Sequence, residues 1–221
     1  MEAYAIMHEI AIVFEDVKSI NDKTLKSMLA HLKPRMAILG VKMTRVIKQS
    51  FAKTIFEGDA VQSLIKGRLR AEFGFRDGMQ RMESIVQTWI DNVMVTFNSP
   101  KLVSGQIVGG FKIELMRSDF QDVLSNKQAM FVTPEHGHQL DWLDWLLTYG
   151  AKVIIRNYDF DAGAGKGRSH HGRMVQGFGR RFWNVPAEFQ GIAHRNFATH
   201  AIDQLHQQLP TIFAREMKRV F

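Results

Sequence analysis

The amino-acid sequence predicts an α+β fold with long N-terminal helices, a mainly antiparallel sheet with a glycine-rich hairpin loop, and a long C-terminal helix. Near each end of the chain, apolar residues recur every three or four positions, which indicates helices that bury one face. Between these stretches lie short runs rich in β-branched residues, which are typical of strands. Because helices and strands are grouped rather than alternating, the sheet is expected to be mainly antiparallel.

The N-terminal part is expected to contain a strand and then a long helix. Residues 4–18 are apolar and β-branched, which favours a strand. Asn21 or Asp22 can cap the helix that follows, and Pro34 and Gly40 are expected to kink or split it. The methionine-rich stripe of this helix indicates core or subunit contact rather than a cofactor site. Its apolar residues are Leu25, Met28, Leu29, Leu32, Met36, Leu39, Met43, Val46, Ile47 and Phe51.

The middle of the chain is expected to hold two further helices followed by strands. The signals are apolar spacing, glycine as a helix terminator and the turn-forming sequence Asn-Ser-Pro. The predicted elements are a helix over 59–73 ended by Gly74, a helix over 78–89, a strand over 93–97, a turn at 98–100, a strand over 108–115 with a bulge at its glycines, a helical turn over 118–124 and a short strand over 130–133.

The last third is expected to contain a short helix, a hairpin and the C-terminal helix. The short helix covers 138–148, and the strand 151–158 follows it, with 173–175 as its partner across a glycine-rich loop. The C-terminal helix is expected over 189–221, bent near Pro210. Four residues are expected to be largely buried structural anchors: Trp142, Trp145, Trp183 and Pro186.

The composition is that of an ordinary globular protein, and one α+β domain over residues 1–221 is expected. There is no cysteine, which excludes disulfides and thiolate metal sites and fits folding in a reducing cytoplasm. No apolar run reaches the length of a membrane span, and the N-terminus does not have the pattern of a secretory signal. A membrane partner is therefore not expected.

The net charge of +7 is spread unevenly along the sequence. Residues 1–150 hold 18 Lys/Arg against 17 Asp/Glu, whereas residues 151–221 hold 11 against 5. A one-sided basic balance is expected of a protein with a polyanionic neighbour, and equally of one with a solubilising surface.

The glycine-rich stretch 163–181 is expected to form a mobile basic loop at the tip of the hairpin. It does not match a Walker phosphate loop, because Gly167 stands where Ser or Thr is required and a strand is predicted after it. Arginine suits phosphate contact, so the loop is expected to meet either passing DNA or a neighbouring subunit, and its charge slightly favours DNA. Its cations are Lys166, Arg168, Arg173, Arg180 and Arg181, without any acid.

No catalytic or metal-binding set of residues is recognisable. His200 and His206 are six residues apart, which does not align them on a helix face, and no HExxH pattern occurs. Asp141 and Asp144 are three apart, and an exposed polar helix face explains them more simply than a catalytic pair. We therefore expect no enzymatic activity, no cofactor and no metal.

Several short segments in this order resemble the neck and tail-completion proteins of tailed bacteriophages, the group that includes minor tail protein Z-like proteins. They stand between a long N-terminal helix and a long C-terminal one. The segments are 67–74 (GRLRAEFG), 118–124 (SDFQDVL), 142–150 (WLDWLLTYG) and 183–186 (WNVP).

The resemblance implies a structural virion protein without catalytic residues. Such a protein is assembled in the host cytoplasm and forms a ring of six or twelve copies at the head–tail junction, around the DNA channel. It would contact portal, connector or tail-terminator proteins, and genomic DNA without sequence preference. Two alternatives stay open: a nuclease-like DNA-processing protein using the His/Arg-rich loop, with Asp159 and Asp161 as its nearest acids, and a DNA-binding accessory protein without ring assembly.

Overall fold

The computed structural model describes residues 8–13, 22–117, 119–132, 137, 139–177 and 182–221, with backbone alone at 8–13, 22 and 23. It confirms the predicted α+β class, with a long N-terminal helix, antiparallel sheets and a long C-terminal helix. The elements are β1 (His8–Val13), α1 (Asp22–Glu57), α2 (Asp59–Lys66), α3 (Arg68–Phe73), α4 (Gly78–Asn92), β2 (Met94–Val103), β3 (Gln106–Glu114), α5 (Gln121–Leu124), β4 (Phe131–Val132), β5 (Gln139–Leu140), α6 (Trp142–Leu147), β6 (Ile155–Arg156), β7 (Tyr158–Ala162), β8 (Gly172–Gln176), β9 (Phe182–Trp183) and α7 (Phe197–Lys218).

The chain divides into two compact units, each built from separated stretches of sequence. Helices α1 and α7 each contribute residues to both units. The expectation of one domain over 1–221 stays a prediction. The first unit comprises Met1–Ser50, Asn92–Met116 and Leu205–Phe221, and the second comprises Phe51–Asp91 and Arg117–Gln204.

The first unit contains a three-stranded antiparallel sheet in the order β1-β3-β2. Gly40 of α1 lies against this sheet, because a Cβ at that position would be 3.3 Å from Cγ of Phe97. The rings of Phe97 and Phe111 are 5.4 Å apart, and Phe111 meets Phe213 of α7 edge-on at 5.8 Å. These aromatic contacts join the two helices of the unit to its sheet.

Helix α1 runs without interruption through Pro34 and Gly40, so it is not split at these residues, and the alternative expectation of a kink stays a prediction. Its buried side continues across both positions with Met36, Leu39 and Met43. Packing of a continuous apolar face supplies more free energy than the single helical hydrogen bond that proline removes. Tertiary contacts therefore outweigh the local helix-breaking signals.

The sequence Asn98-Ser99-Pro100 forms a bulge inside β2 rather than the expected turn. The pairing of β2 with β3 shifts between Asn98 and Lys101. Gly109 lies opposite the bulge, where a Cβ would be 2.8 Å from Cα of Pro100, so the glycine makes room for the partner strand. The chain reverses instead at Ser104 and Gly105, which both have positive φ.

The helix expected over 59–73 is two helices in the structure, α2 and α3, separated at Gly67. The backbone of Gly67 is extended, and the Ser63 hydroxyl accepts a 2.9 Å hydrogen bond from the amide of Leu69. A local side chain thus satisfies an amide that begins the second helix. The predicted end at Gly74 is confirmed, because this residue is left-handed with φ of 70°.

The continuous strand expected over 151–158 is wrong, since two short strands, β6 and β7, occupy this region. Asn157 between them has a φ of 59°, and its carbonyl accepts a 2.8 Å hydrogen bond from the amide of Gly177. Strand β6 pairs with β9, whereas β7 pairs with β8. The turn at Asn157 therefore redirects the chain from one sheet into the hairpin that the sequence predicted.

The C-terminal helix begins at Phe197, later than the expected 189, because Asn196 caps it. The Asn196 carboxamide oxygen accepts from the amides of Ala198 and Thr199, each at 3.0 Å, and its Nδ2 donates to the carbonyl of Leu147. The Thr199 hydroxyl accepts in return from the amide of Asn196 at 2.8 Å. This reciprocal cap fixes the first turn of α7 beside the end of α6.

Three of the four predicted anchors, the tryptophans, lie around the ring of Phe73. Trp142 and Trp183 are buried, Pro186 is buried, and Trp145 is only half-buried. Their rings lie 6.3 Å (Trp142), 6.3 Å (Trp145) and 5.5 Å (Trp183) from the ring of Phe73. The indole Nε1 of Trp142 also donates to the carbonyl of Gln128 at 2.8 Å.

Trp142→Ala should destabilise the protein more than Trp145→Ala. The first change empties a fully buried site and is expected to cost about 3 to 5 kcal/mol, whereas the second removes a half-buried ring and should cost about 1 to 2 kcal/mol. Urea unfolding followed by circular dichroism measures both. Equal losses for the two variants would contradict the assignment of Trp142 as the main anchor of α6.

Candidate functional site

The candidate site predicted from the sequence lies at the tip of the β7–β8 hairpin. Five residue pairs hold the strands together, from Tyr158 with Gln176 to Ala162 with Gly172. Within the tip, the amide of Gly165 donates to the carbonyl of His170 at 2.7 Å. Gly165 and Gly167 have positive φ, which favours glycine at both positions. The glycine-rich sequence is thus closed by hydrogen bonds of its own backbone.

Two of the predicted basic residues bind a single carboxylate, that of Asp161. The Lys166 Nζ lies 2.9 Å from Oδ1 and 3.1 Å from Oδ2 of Asp161, and the Arg173 Nε lies 3.5 Å from Oδ2. The hydrogen bond from Lys166, with a smaller contribution from Arg173, lowers the pKa of Asp161 below its usual value. The loop itself has no acid, but the residue two positions before it neutralises part of its charge.

The third predicted cation, Arg168, packs onto an aromatic ring instead of extending from the loop. Its guanidinium carbon lies 5.2 Å from the ring centre of Phe131, and its Nη1 is buried without a hydrogen-bond partner among the described residues. Arg81 lies 5.3 Å from the same ring and donates to the carbonyls of Gln128 and Met130. Arg168 therefore helps to hold the hairpin, in agreement with the stacking preference of guanidinium groups.

The other two predicted cations, Arg180 and Arg181, lie outside the described residues. From Tyr158 to Gly177 the hairpin carries three Lys/Arg and two Asp residues, so its net charge is small. The hairpin tip also differs from a Walker loop, because the tip is followed by the strand β8, whereas a Walker loop is followed by a helix.

The excess positive charge lies in a different part of the protein from residues 151–221, which the charge count along the sequence indicated. Counted over its three stretches, the first unit has 13 Lys/Arg against 7 Asp/Glu, and the second has 16 against 15, which together give the totals of 29 and 22. The hairpin belongs to the second, nearly neutral unit. Most of the net charge of +7 therefore belongs to the unit that contains most of α1 and the end of α7.

Helix α1 is the main source of this charge, which the counts over residues 1–150 and 151–221 do not reveal. Residues 23–56 contain eight Lys/Arg and no Asp or Glu. A count over the first 150 residues hid this run, because acids before and after the helix cancelled it. Counting Lys/Arg and Asp/Glu separately over each predicted helix would have revealed this run of cations.

Groups that could carry metal chemistry are not found in the described part of the chain. Among those residues, no three His, Asp or Glu side chains are placed to hold one metal ion. Of the two acids near the loop, Asp161 is engaged by Lys166 and Arg173. A search of the helices in the same residues also found none that is both long and apolar enough to span a membrane.

Comparison with known proteins produced no relative. A scan against protein-family models, a search of curated proteins and a search of solved structures each returned no match to this chain.

Lys166→Gln should raise the pKa of Asp161 toward the ordinary aspartate value of about 3.9, because a cation that favours the charged carboxylate is lost. Arg173→Gln should raise this pKa less. Since the folded pKa is lowered, the ion pair stabilises the hairpin above the ordinary value and loses its effect as the pH falls through the folded pKa. NMR titration of the Asp161 carboxyl carbon measures this, with Lys127→Gln as control. An unchanged pKa in Lys166→Gln would contradict the described contacts.

Proposed function

We propose that this protein is a structural virion protein of the bacteriophage neck or tail-completion type. In this proposal it forms a ring of six or twelve copies at the head–tail junction, around the DNA channel. Its partners are copies of itself, portal, connector or tail-terminator proteins, and genomic DNA bound without sequence preference. It is assembled in the host cytoplasm and acts without catalysis or cofactor.

The unequal charge of the two units is the observation that carries this proposal. A ring around DNA needs a surface that attracts phosphates and other surfaces that bind protein. The first unit has nearly twice as many Lys/Arg as Asp/Glu, while the second is almost balanced. Such a division supports contact with a polyanion through one unit and contact with protein through the other.

Exposed apolar side chains support the protein contacts of the proposed ring. In the second unit, Val132, Tyr149 and Phe182 are each exposed. In a ring, one patch on each copy meets a complementary patch on the next copy. The same exposed apolar side chains are therefore covered at every interface of the ring. These residues are candidates for that interface.

The contacts of the basic loop favour a neighbouring subunit over DNA as its partner. Lys166 and Arg173 share the carboxylate of Asp161, and Arg168 packs on Phe131. Cations held in this way present a defined shape and a small net charge, which suits protein contact better than the counterion release that drives non-specific DNA binding.

The nuclease-like alternative has less support from the described residues than the structural role. A two-metal or one-metal nuclease needs several carboxylates or histidines around one point. The described part of the chain has no such group. The DNA-binding accessory role stays open as a second candidate, and the mass of the native particle separates it from the ring.

Phage that lack this protein should accumulate DNA-filled heads and separate tails, because the proposed ring joins the two. Electron microscopy of lysates from a deletion mutant makes this measurement. Adding the purified protein to such a lysate should restore joined, infectious particles. Normally joined virions in its absence would rule out the proposed function.

The double variant Lys166→Gln/Arg173→Gln should impair ring assembly and leave DNA affinity nearly unchanged, because it alters the shape of a hairpin that is proposed to contact the next subunit. Native mass spectrometry and DNA binding at two salt concentrations measure the two properties. Lys66→Gln/Lys127→Gln removes the same charge from exposed positions of the same unit and serves as the control. Weaker DNA binding with an intact ring would show instead that the hairpin faces DNA.

A further inference from the structure

The exposed side of helix α1 carries a run of Lys and Arg that is not interrupted by Asp or Glu from residue 23 to residue 56. Five of its cations in the first unit are exposed, and Lys48 is half-buried. We call this set the α1 basic face. It consists of Lys26, Lys33, Arg35, Lys42, Arg45 and Lys48.

The cations of the α1 basic face have no carboxylate partner among the described residues. In that part of the chain, the one α1 cation in an ion pair is Lys53, whose Nζ lies 3.7 Å from Oε1 of Glu57 at the end of the same helix. The basic residues at the end of α7 differ, because Arg215 and Arg219 lie 3.1 and 2.7 Å from the buried Glu216. Within the part of the chain whose side chains are described, the α1 basic face is therefore charge without an acidic partner, and Arg35 alone of its six residues lies over a ring there, 5.7 Å from the ring centre of Phe221.

The α1 basic face covers the exposed side of the helix. At about 100° per residue, Lys33 and Lys42 lie at opposite edges of that side, and Arg45 lies between them. The opposite side of the helix carries the buried residues Met36, Leu39 and Met43. Lys26 and Lys48 are 22 residues apart, which in an α-helix corresponds to about 33 Å. This length is close to one helical turn of duplex DNA, roughly 34 to 36 Å.

We infer that the α1 basic face binds the phosphate backbone of duplex DNA without reading its sequence. Cations spread over the exposed side of a helix without acids match a partner whose negative charges are closely spaced, and each phosphate contact releases a condensed counterion. The inference rests on the proposed function, which brings the protein into contact with DNA at the head–tail junction. In this inference helix α1, and not the hairpin, is the surface that contacts the DNA.

Other occupants of this face fit the observations less well. A second copy of α1 would bring cations onto cations, which is repulsive. A membrane-surface helix turns its apolar side toward the lipid, whereas the apolar side of α1 is buried in the protein. Between the cations, Met28, Ile38 and Val41 are 38%, 53% and 76% exposed, and three such residues are too few to anchor a helix in lipid.

The test is DNA binding by the purified full-length protein carrying Lys33→Gln, Lys42→Gln and Arg45→Gln. Glutamine keeps a good helix propensity, so α1 should stay folded. The probe is a fluorescent duplex of mixed sequence, roughly three helical turns long. Between about 50 and 200 mM salt, the triple variant should bind at least about tenfold more weakly, and its salt slope should fall by about 2 to 3. Circular dichroism and thermal unfolding check the fold.

Two control variants separate this surface from general charge and from apolar docking. Lys66→Gln/Lys127→Gln/Arg156→Gln removes the same charge from exposed positions of the second unit and should leave DNA affinity within about twofold of wild type. Ile38→Ser/Val41→Ser keeps the charge of α1 and should also leave it unchanged. Equal weakening by both charge variants, or loss of binding in the Ile38/Val41 variant alone, would overturn the inference.

The experiment also distinguishes this inference from the proposed function. Wild-type protein that binds anionic phospholipid vesicles but not the duplex would overturn the inference, whatever its role in the virion. If the deletion phage joins heads to tails normally while the α1 variant loses DNA affinity, the proposed function fails and the inference stands.

Discussion

The buried carboxylate of Glu72 is the constraint on which the second unit depends. The indole Nε1 of Trp183 donates to its Oε2 at 2.9 Å, and the Arg68 guanidinium donates to its Oε1 at 2.5 Å. A buried charge costs several kcal/mol unless such donors stay in place, so β9 must lie against α3, although 111 residues separate the two partners. The next residue, Phe73, packs its ring against the same tryptophan. Because β9 pairs with β6, which leads into β7, these contacts also position the base of the hairpin.

The hairpin and helix α1 show two different uses of basic residues. In the hairpin, Lys166 and Arg173 converge on Asp161, and Arg168 covers Phe131, so the cations define a local shape. On α1 the cations follow a helix face without a described carboxylate nearby except at Lys53. A paired cation gains little from a phosphate, because it must first leave its partner. An unpaired and exposed cation loses only water and counterions, which makes α1 the better candidate for a polyanion.

This division gives the proposed ring a consistent physical basis. The nearly neutral unit carries the hairpin and the exposed apolar residues Val132, Tyr149 and Phe182, which suit protein contact. The basic unit has a core of aromatic and aliphatic residues joining α1, the sheet and α7, so a rigid helix presents the charge. This placement matters, because the backbone that carries the cations is already ordered before binding and loses less conformational entropy.

Local signals in the sequence were sufficient to predict which segments form helices and which form strands. The apolar stripe predicted α1, Gly74 predicted a helix end through its left-handed backbone, and the strands flanking the glycine-rich tip predicted the hairpin. The breaks at Gly67 and Asn157 and the cap at Asn196 were missed, since each depends on hydrogen bonds to particular neighbours. The tertiary structure alone decided which cations have a partner and which face solvent. The segments that form each unit are separated in sequence. Whether a cation meets a carboxylate, a ring or solvent therefore depends on which segments the fold brings together.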